Sequence, residues 1–237
     1  MNRLIPFRIY LVSLCLLGLL WQSGCAPSRI VRPLERGQSA VNGHLGGPMT
    51  QVDSLSFPLP LTSIGMAYGL SDQLTAYGHL HLTAASFRTL QLDAGVTYGF
   101  SRPFRLRPGI SVSPSLNFMA APRVDQDTEE RLLGGRLYPQ LDAHLWWEYG
   151  RKRHVLYTGL SNWFELRGLR AHEEVQPQRW IPSIMLGHTF TGYRWDITLE
   201  ARQIAPHISN ENLVVNWQSI TGGKGATGLY IGFIRKW

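Results

Sequence analysis

The feature that most constrains this chain is a two-residue alternation of apolar and polar side chains that recurs in segment after segment. From Arg105 to Phe118, Leu106, Ile110, Val112, Leu116 and Phe118 share one parity, and Arg105, Arg107, Ser111, Ser113, Ser115 and Asn117 share the other. Thr89 to Phe100 sets Leu90, Leu92, Val96, Tyr98 and Phe100 against Gln91, Asp93 and Thr97. Tyr193 to Arg202 sets Trp195, Ile197 and Leu199 against Arg194, Asp196, Thr198, Glu200 and Arg202. A period of two belongs to an extended strand, whose successive side chains leave on opposite faces. Weaker runs near 37–47, 62–71, 73–84, 136–149, 154–165, 180–191 and 227–237 bring the expectation to about ten strands, and an all-β fold.

The connections between these runs differ in length in an ordered way. Ser71-Asp72, 101–104, 150–153 and Thr191-Gly192 are tight, whereas 48–61, 120–135, 166–179 and 203–226 are long. One brief link, 84–86, falls among the long ones. A meander closed into a barrel gathers alternate connections at opposite ends. The pattern therefore predicts an antiparallel up-and-down transmembrane β-barrel with short periplasmic turns and longer extracellular loops. Tyr68-Gly69, Tyr98-Gly99, Tyr149-Gly150 and Phe190 before Gly192 put rings at the tight ends, as an interfacial girdle would.

Composition decides which face looks inward. Charged residues make up 16% of the chain, and only Lys152, Lys224 and Lys236 are lysines. A water-facing surface would carry Lys and Glu, but the polar parity holds Ser, Thr, Gly, Gln, His, Arg and Asp. Polar in and apolar out is the predicted orientation. A lipid-anchored soluble lipocalin-like barrel binding a small apolar ligand is the alternative, with the faces exchanged. An aromatic content of 11% excludes a disordered chain, and a mean hydropathy of −0.11 with one long apolar run excludes a helical membrane bundle. The net charge of +7 is carried by arginines spread along the sequence without a basic stripe, which argues against a nucleic-acid partner.

The first residues read as an address. Arg3 and Arg8 precede an apolar run from Ile9 to Trp21, too short to span a bilayer as a helix, and Gln22-Ser23-Gly24-Cys25 follows. That ending resembles the bacterial lipobox, with Gln22 where an aliphatic residue is preferred. The resemblance implies cleavage before Cys25 and palmitate-type lipidation of its thiol. The expected organisation is a signal peptide over 1–24, a lipid-anchored linker over 25–36 and a barrel over 37–237. Cys15 leaves with the signal, so no internal disulfide is expected. By the same resemblance to bacterial lipoproteins, Ala26 after Cys25, in place of the Asp linked with inner-membrane retention, implies export to an outer membrane.

The segments Gly69 to Gly78 and Leu90 to Phe100 are similar to strand–turn–strand sequence of bacterial outer-membrane β-barrel proteins. The C-terminus, Gly228-Leu-Tyr-Ile-Gly-Phe-Ile-Arg-Lys-Trp237, resembles their final strand: Trp237, Phe233, Ile231 and Leu229 match the aromatic end and apolar alternation, and Arg235 departs from it. The resemblance implies outer-membrane lipid around the wall, together with the barrel-insertion and lipoprotein-sorting machineries, as partners; a further protein partner is left open. It identifies an architecture and not an activity.

The residues expected to line a charge-paired lumen are Arg105, Arg107, Asp142, His144, Glu148, Arg194, Asp196, Glu200 and Arg202, with Gln91. His79, His81 and Asp93 are the candidates for catalysis, because matching parity across a hairpin could orient an imidazole on a carboxylate as a general base. The same imidazoles, with Asp93 or His144, lack the compact spacing of a metal site, and no cofactor is expected. Asp125 to Glu130 lacks the glycine and ligand spacing of a calcium loop. His172 to Pro177 reads as a polar loop, and Gly222-Gly-Lys-Gly225 lacks the spacing of a phosphate loop. Asn212 to Trp217 is β-prone and extends the wall or meets a partner. A non-enzymatic envelope role is the leading expectation. A barrel hydrolase acting on lipid or peptide at the cell surface is the alternative, and a solute pore is disfavoured by the crowded lumen.

Overall fold

The computed structural model describes residues 30–52, 54–124, 131–168, 178–210 and 216–237. The signal segment, Cys25, the acidic loop 125–130, the loop 172–177 and residues 212–215 lie outside them. Eleven strands follow in chain order: β1 (Ser39–Val52), β2 (Leu55–Pro58), β3 (Leu61–Ser71), β4 (Leu74–His81), β5 (Leu90–Ser101), β6 (Gly109–Val124), β7 (Arg131–Tyr149), β8 (His154–Phe164), β9 (Trp180–Thr191), β10 (Trp195–Ser209) and β11 (Lys224–Lys236). From β3 to β11 each strand pairs antiparallel with the next, β1 pairs antiparallel with β3, and β1 also pairs with β11 from Ala40↔Lys236 to Pro48↔Gly228. That seam closes the sheet. β2 only folds back on the outer part of β1, Met49↔Pro58 to Val52↔Leu55, so the barrel itself has ten strands.

Closure satisfies the backbone without solvent, the condition for spanning a bilayer. The wall is apolar outside and polar inside. Ile64, Met66, Leu92, Leu116, Leu160, Leu186 and Leu199 are exposed, whereas Asn42, Thr75, Asp93, Ser111, Asn117, Asp142, Glu200 and Arg202 are buried. This inverts a soluble barrel, and a surface of that composition is solvated by lipid tails. The lipocalin-like alternative requires the opposite orientation and is excluded by it. Tyr68, Tyr98, Phe100, Tyr149, Phe190 and Trp195 stand exposed near the tight-turn end, at the level of an interfacial belt.

Two boundaries differ from the sequence reading. β6 starts at Gly109 and not at Arg105, because Phe104 and Arg107 exchange both backbone hydrogen bonds, at 3.1 and 3.0 Å, in a tight turn with Arg105 at φ 55°. The link between β4 and β5 is a single-turn helix, Leu82–Ser86, whose Thr83 hydroxyl accepts the Thr62 N–H at 2.8 Å. At the long-loop end, residues 216–218 lie along β1: Gln51 N–H donates to Asn216 O at 3.1 Å and Gln218 N–H to Met49 O at 2.9 Å. Trp217 there packs with Leu59, Leu61 and Ala226.

Candidate functional site in the barrel lumen

Alternation along β4 and β5 sends Thr75, Tyr77, His79 and His81, and opposite them Gln91, Asp93 and Thr97, toward the axis. His79 and Asp93 are direct register partners. Asp93 bridges two imidazoles: Oδ1 meets His79 Nδ1 at 3.0 Å and Oδ2 meets His81 Nε2 at 2.8 Å. The side chains of His79 and Asp93 have no exposed surface, and His81 keeps 12%. The ring of His79 lies across Gly65 of β3, where a Cβ would overlap it, and stands 5.6 Å from the ring of His44. His44, on the glycine-rich β1, is a member of this cluster that the sequence reading missed; its only signal was parity within a weak run.

Two further clusters complete the middle of the lumen. In one, Asn117 Nδ2 donates to Gln140 Oε1 at 3.1 Å, Gln140 Nε2 donates to both oxygens of Asp142 at 2.8 and 3.0 Å, and Ser161 donates to Asp142 Oδ1 at 2.5 Å. In the other, Tyr157 donates to Glu200 Oε2 at 2.8 Å while Arg202 Nη2 sits 3.0 Å from Glu200 Oε1 and its guanidinium lies over the Tyr230 ring at 5.8 Å. Tyr157, Met185 and Arg202 are among the largest fully buried side chains, so the axis is filled at this height. His144 is buried beside Tyr157, their ring centroids 6.2 Å apart.

The tight-turn end is closed by the chain's own N-terminal segment. Residues 30–36, expected as part of a linker, run inside the barrel mouth. Thr97 donates to Ile30 O at 3.0 Å, Ser111 donates to Val31 O at 2.7 Å and Leu34 N–H donates to Thr75 Oγ1 at 2.8 Å. Ile30 and Leu34 pack with Tyr77, Ala67 and Ile234, and Val31 packs on the opposite side with Trp146, Val155, Tyr157 and Met185. Arg32 reaches Glu148 at 3.0 Å, which also holds Arg153 at 2.6 Å. Pro33 lies against Gly99, and Gly69 faces the Leu34 and Glu35 carbonyls so closely that a Cβ would collide. A cavity of about 220 Å³ remains between the plug and the wall, lined by Ile30, Val31, Trp146, Tyr157, Thr198 and Ile234.

The candidate lumen residues thus divide. Asp142, His144, Asp196, Glu200 and Arg202 are buried within the barrel, Asp196 holding Lys236 at 2.9 Å, and Glu148 sits at the plugged mouth. Arg105, Arg107 and Arg194 are not in the lumen: the first two belong to the Phe104–Arg107 turn and the third to the turn before β10, and all three are exposed. Their parity was that of the lumen, but the chain had already left the wall. Chemically, the His79–Asp93–His81 arrangement orients two imidazoles yet spends its carboxylate on both and keeps His79 from any substrate. Among the described residues, no group of three His, Cys, Asp or Glu side chains is placed to hold a metal ion.

No family model and no curated protein matches the chain. Among solved structures it is similar to an outer-membrane channel of Pseudomonas putida F1, with 12% identity, TM-score 0.47 and coverage of 90% of this chain and 100% of that one. It is also similar to the translocator domain of the autotransporter NalP from Neisseria meningitidis, with 11% identity, TM-score 0.44 and coverage of 85% and 89%. The NanC porin aligns at 7% identity and TM-score 0.43 over 84% of this chain and 98% of that one.

Proposed function

We propose that this protein is a bacterial outer-membrane β-barrel lipoprotein, anchored through Cys25, whose lumen is sealed by its own N-terminal segment and whose role in the envelope is structural or that of a docking body. The observation that carries this reading is the plug of residues 30–36, hydrogen-bonded to Thr75, Thr97 and Ser111 beneath a filled middle layer. A conduit needs a continuous path, and here both the mouth and the axis are occupied by ordered side chains. The clamped imidazoles act as struts between β4 and β5, an arrangement that favours stability over turnover.

The anchor fits the same geometry. Four residues, Ala26 to Arg29, lie between Cys25 and Ile30, and a fully extended chain spans at most roughly 3.3–3.6 Å per residue, so a lipid on Cys25 sits at the plugged end. Three measurements test the reading. The purified full chain in planar bilayers gives no resolved conductance, whereas sustained channel steps refute the sealed barrel. Unboiled samples migrate faster than boiled ones on a detergent gel, as closed barrels do. Palmitate labelling is lost in Cys25→Ala; labelling that persists removes the anchor from the proposal.

A further inference from the structure

The arginines that looked scattered in sequence converge once the chain is rolled up. Arg105 and Arg107 lie in the β5–β6 turn, Arg151 in the β7–β8 turn and Arg194 in the β9–β10 turn, while Arg235 is the penultimate residue of β11; all five are exposed and all stand at the tight-turn end. Among the described residues, none of the five meets a carboxylate. Of the acids of this end, Asp72 lies 3.8 Å from Arg102 and accepts the Arg36 N–H, Glu148 holds Arg32 and Arg153, Asp196 holds Lys236, and Glu35 is exposed on the plug. The acidic loops, 125–130 and 172–177, belong by sequence to the opposite end. The tight-turn rim therefore carries a clear excess of cations over acids.

Apolar groups are interleaved with those cations. Leu106 is 91% and Tyr193 95% exposed, and Phe104, Trp195 and Trp237 are also open. Arg105 lies over the Phe104 ring and Arg235 over the Trp195 ring, each at 5.5 Å. A soluble acidic partner would require only the charges. Rings and a leucine projecting beyond the last strand residues, continuous with the lipid-facing wall and topped by guanidinium groups, match the depth profile of a membrane interface: acyl chains first, then headgroup phosphates. Resting on the membrane reading above, we propose that this collar is a binding surface for anionic phospholipid headgroups in the leaflet around the plugged end, with phosphatidylglycerol-type lipids enriched there.

The test uses the full chain reconstituted in phosphatidylcholine vesicles carrying a trace of spin-labelled phosphatidylglycerol or spin-labelled phosphatidylcholine. The motionally restricted fraction of each label reports its association with the protein. The wild type associates several-fold more with the phosphatidylglycerol label at low salt, and the preference shrinks as salt is raised. In a variant with Arg105, Arg107, Arg151, Arg194 and Arg235 replaced by Gln it falls to parity, each cation being worth up to about fivefold. Replacing Arg88, Arg167 and Lys224 by Gln at the long-loop end leaves it intact. Parity in the wild type, a preference that ignores salt, or one that survives the fivefold replacement overturns the collar, and parity is also what an acidic protein partner would give. Heat-modifiable gel mobility is read on the same samples. Loss of it in the wild type overturns the membrane barrel itself, whereas insertion with parity overturns the collar alone.

Discussion

Replacing Thr97 by Val and Ser111 by Ala removes the two hydroxyls that hold the carbonyls of Ile30 and Val31, and the plug is balanced finely enough for this to free it. Ile30, Val31 and Leu34 are only 4%, 7% and 7% exposed. At about 1.5–3 kcal/mol for each buried aliphatic side chain, they contribute roughly 5–9 kcal/mol. The three neutral hydrogen bonds to Thr75, Thr97 and Ser111 add about 3 kcal/mol. Ordering the backbone of residues 30–36 costs about 1–2 kcal/mol per residue, roughly 7–14 kcal/mol together. Gain and cost nearly cancel. The double variant leaves two buried carbonyls without donors, at about 1–3 kcal/mol each, so the balance shifts by roughly 2–6 kcal/mol toward an undocked segment. Hydrogen exchange of the peptide covering residues 30–38, measured on the detergent-solubilised full chain, accelerates by ~30-fold or by the whole of the wild-type protection where that is smaller, reaching the intrinsic rate. Val is isosteric with Thr and both sites are inside the wall, so unboiled mobility stays that of a closed barrel. Unchanged exchange in this segment, with the barrel closed, refutes the role given to the two hydroxyls.

Other perturbations address the wall and the lumen. Leu186→Arg places a cation on the lipid face near the middle of β9, where it costs about 2–4 kcal/mol; the temperature at which the compact gel form is lost drops, and an unshifted temperature contradicts the outward orientation. Asp93→Ala strips both His79 and His81 of their shared acceptor and lowers the same temperature more than Asp93→Asn does, because the amide still offers an oxygen. Gly65→Ala drives a methyl into the His79 ring and the Gly78 carbonyl and destabilises the barrel, with a smaller loss when combined with His79→Ala, a coupling that a double-mutant cycle reads directly. Replacing His79 and His81 together by Ala leaves lipid A and protein turnover by intact cells unchanged; a loss of turnover restores the hydrolase alternative.

What the sequence made legible was the contrast that every strand must repeat. Leu90, Leu92, Tyr98 and Phe100 touch lipid while Gln91, Asp93 and Thr97 touch the lumen, and a slip of one residue would reverse them all, so parity is heavily over-determined. Parity carries no information about where a strand stops. Arg105, Leu106 and Arg107 continue the alternation of β6, yet they form a turn, because a reversal closed by two backbone hydrogen bonds leaves the side-chain pattern untouched. His79 and Asp93 could be matched from the shortness of the β4–β5 link, whereas His44 reaches them only through the β1–β3 pairing, a long-range register in a glycine-rich strand.

The plug was illegible for a different reason. Ile30-Val31-Arg32-Pro33-Leu34 has no strand period and no cap, and its partners Thr75, Thr97 and Ser111 are small hydroxyl residues that any polar lumen carries. Nothing local distinguishes a hydroxyl that binds a carbonyl of the plug from one that faces water. The basic rim has the same character, since its members are far apart in the chain and meet only because alternate connections of a closed meander share one end. Both features arise from topology acting on residues that individually look ordinary. They are also where this barrel meets its surroundings: the plug fills the mouth, and the arginines encircle it.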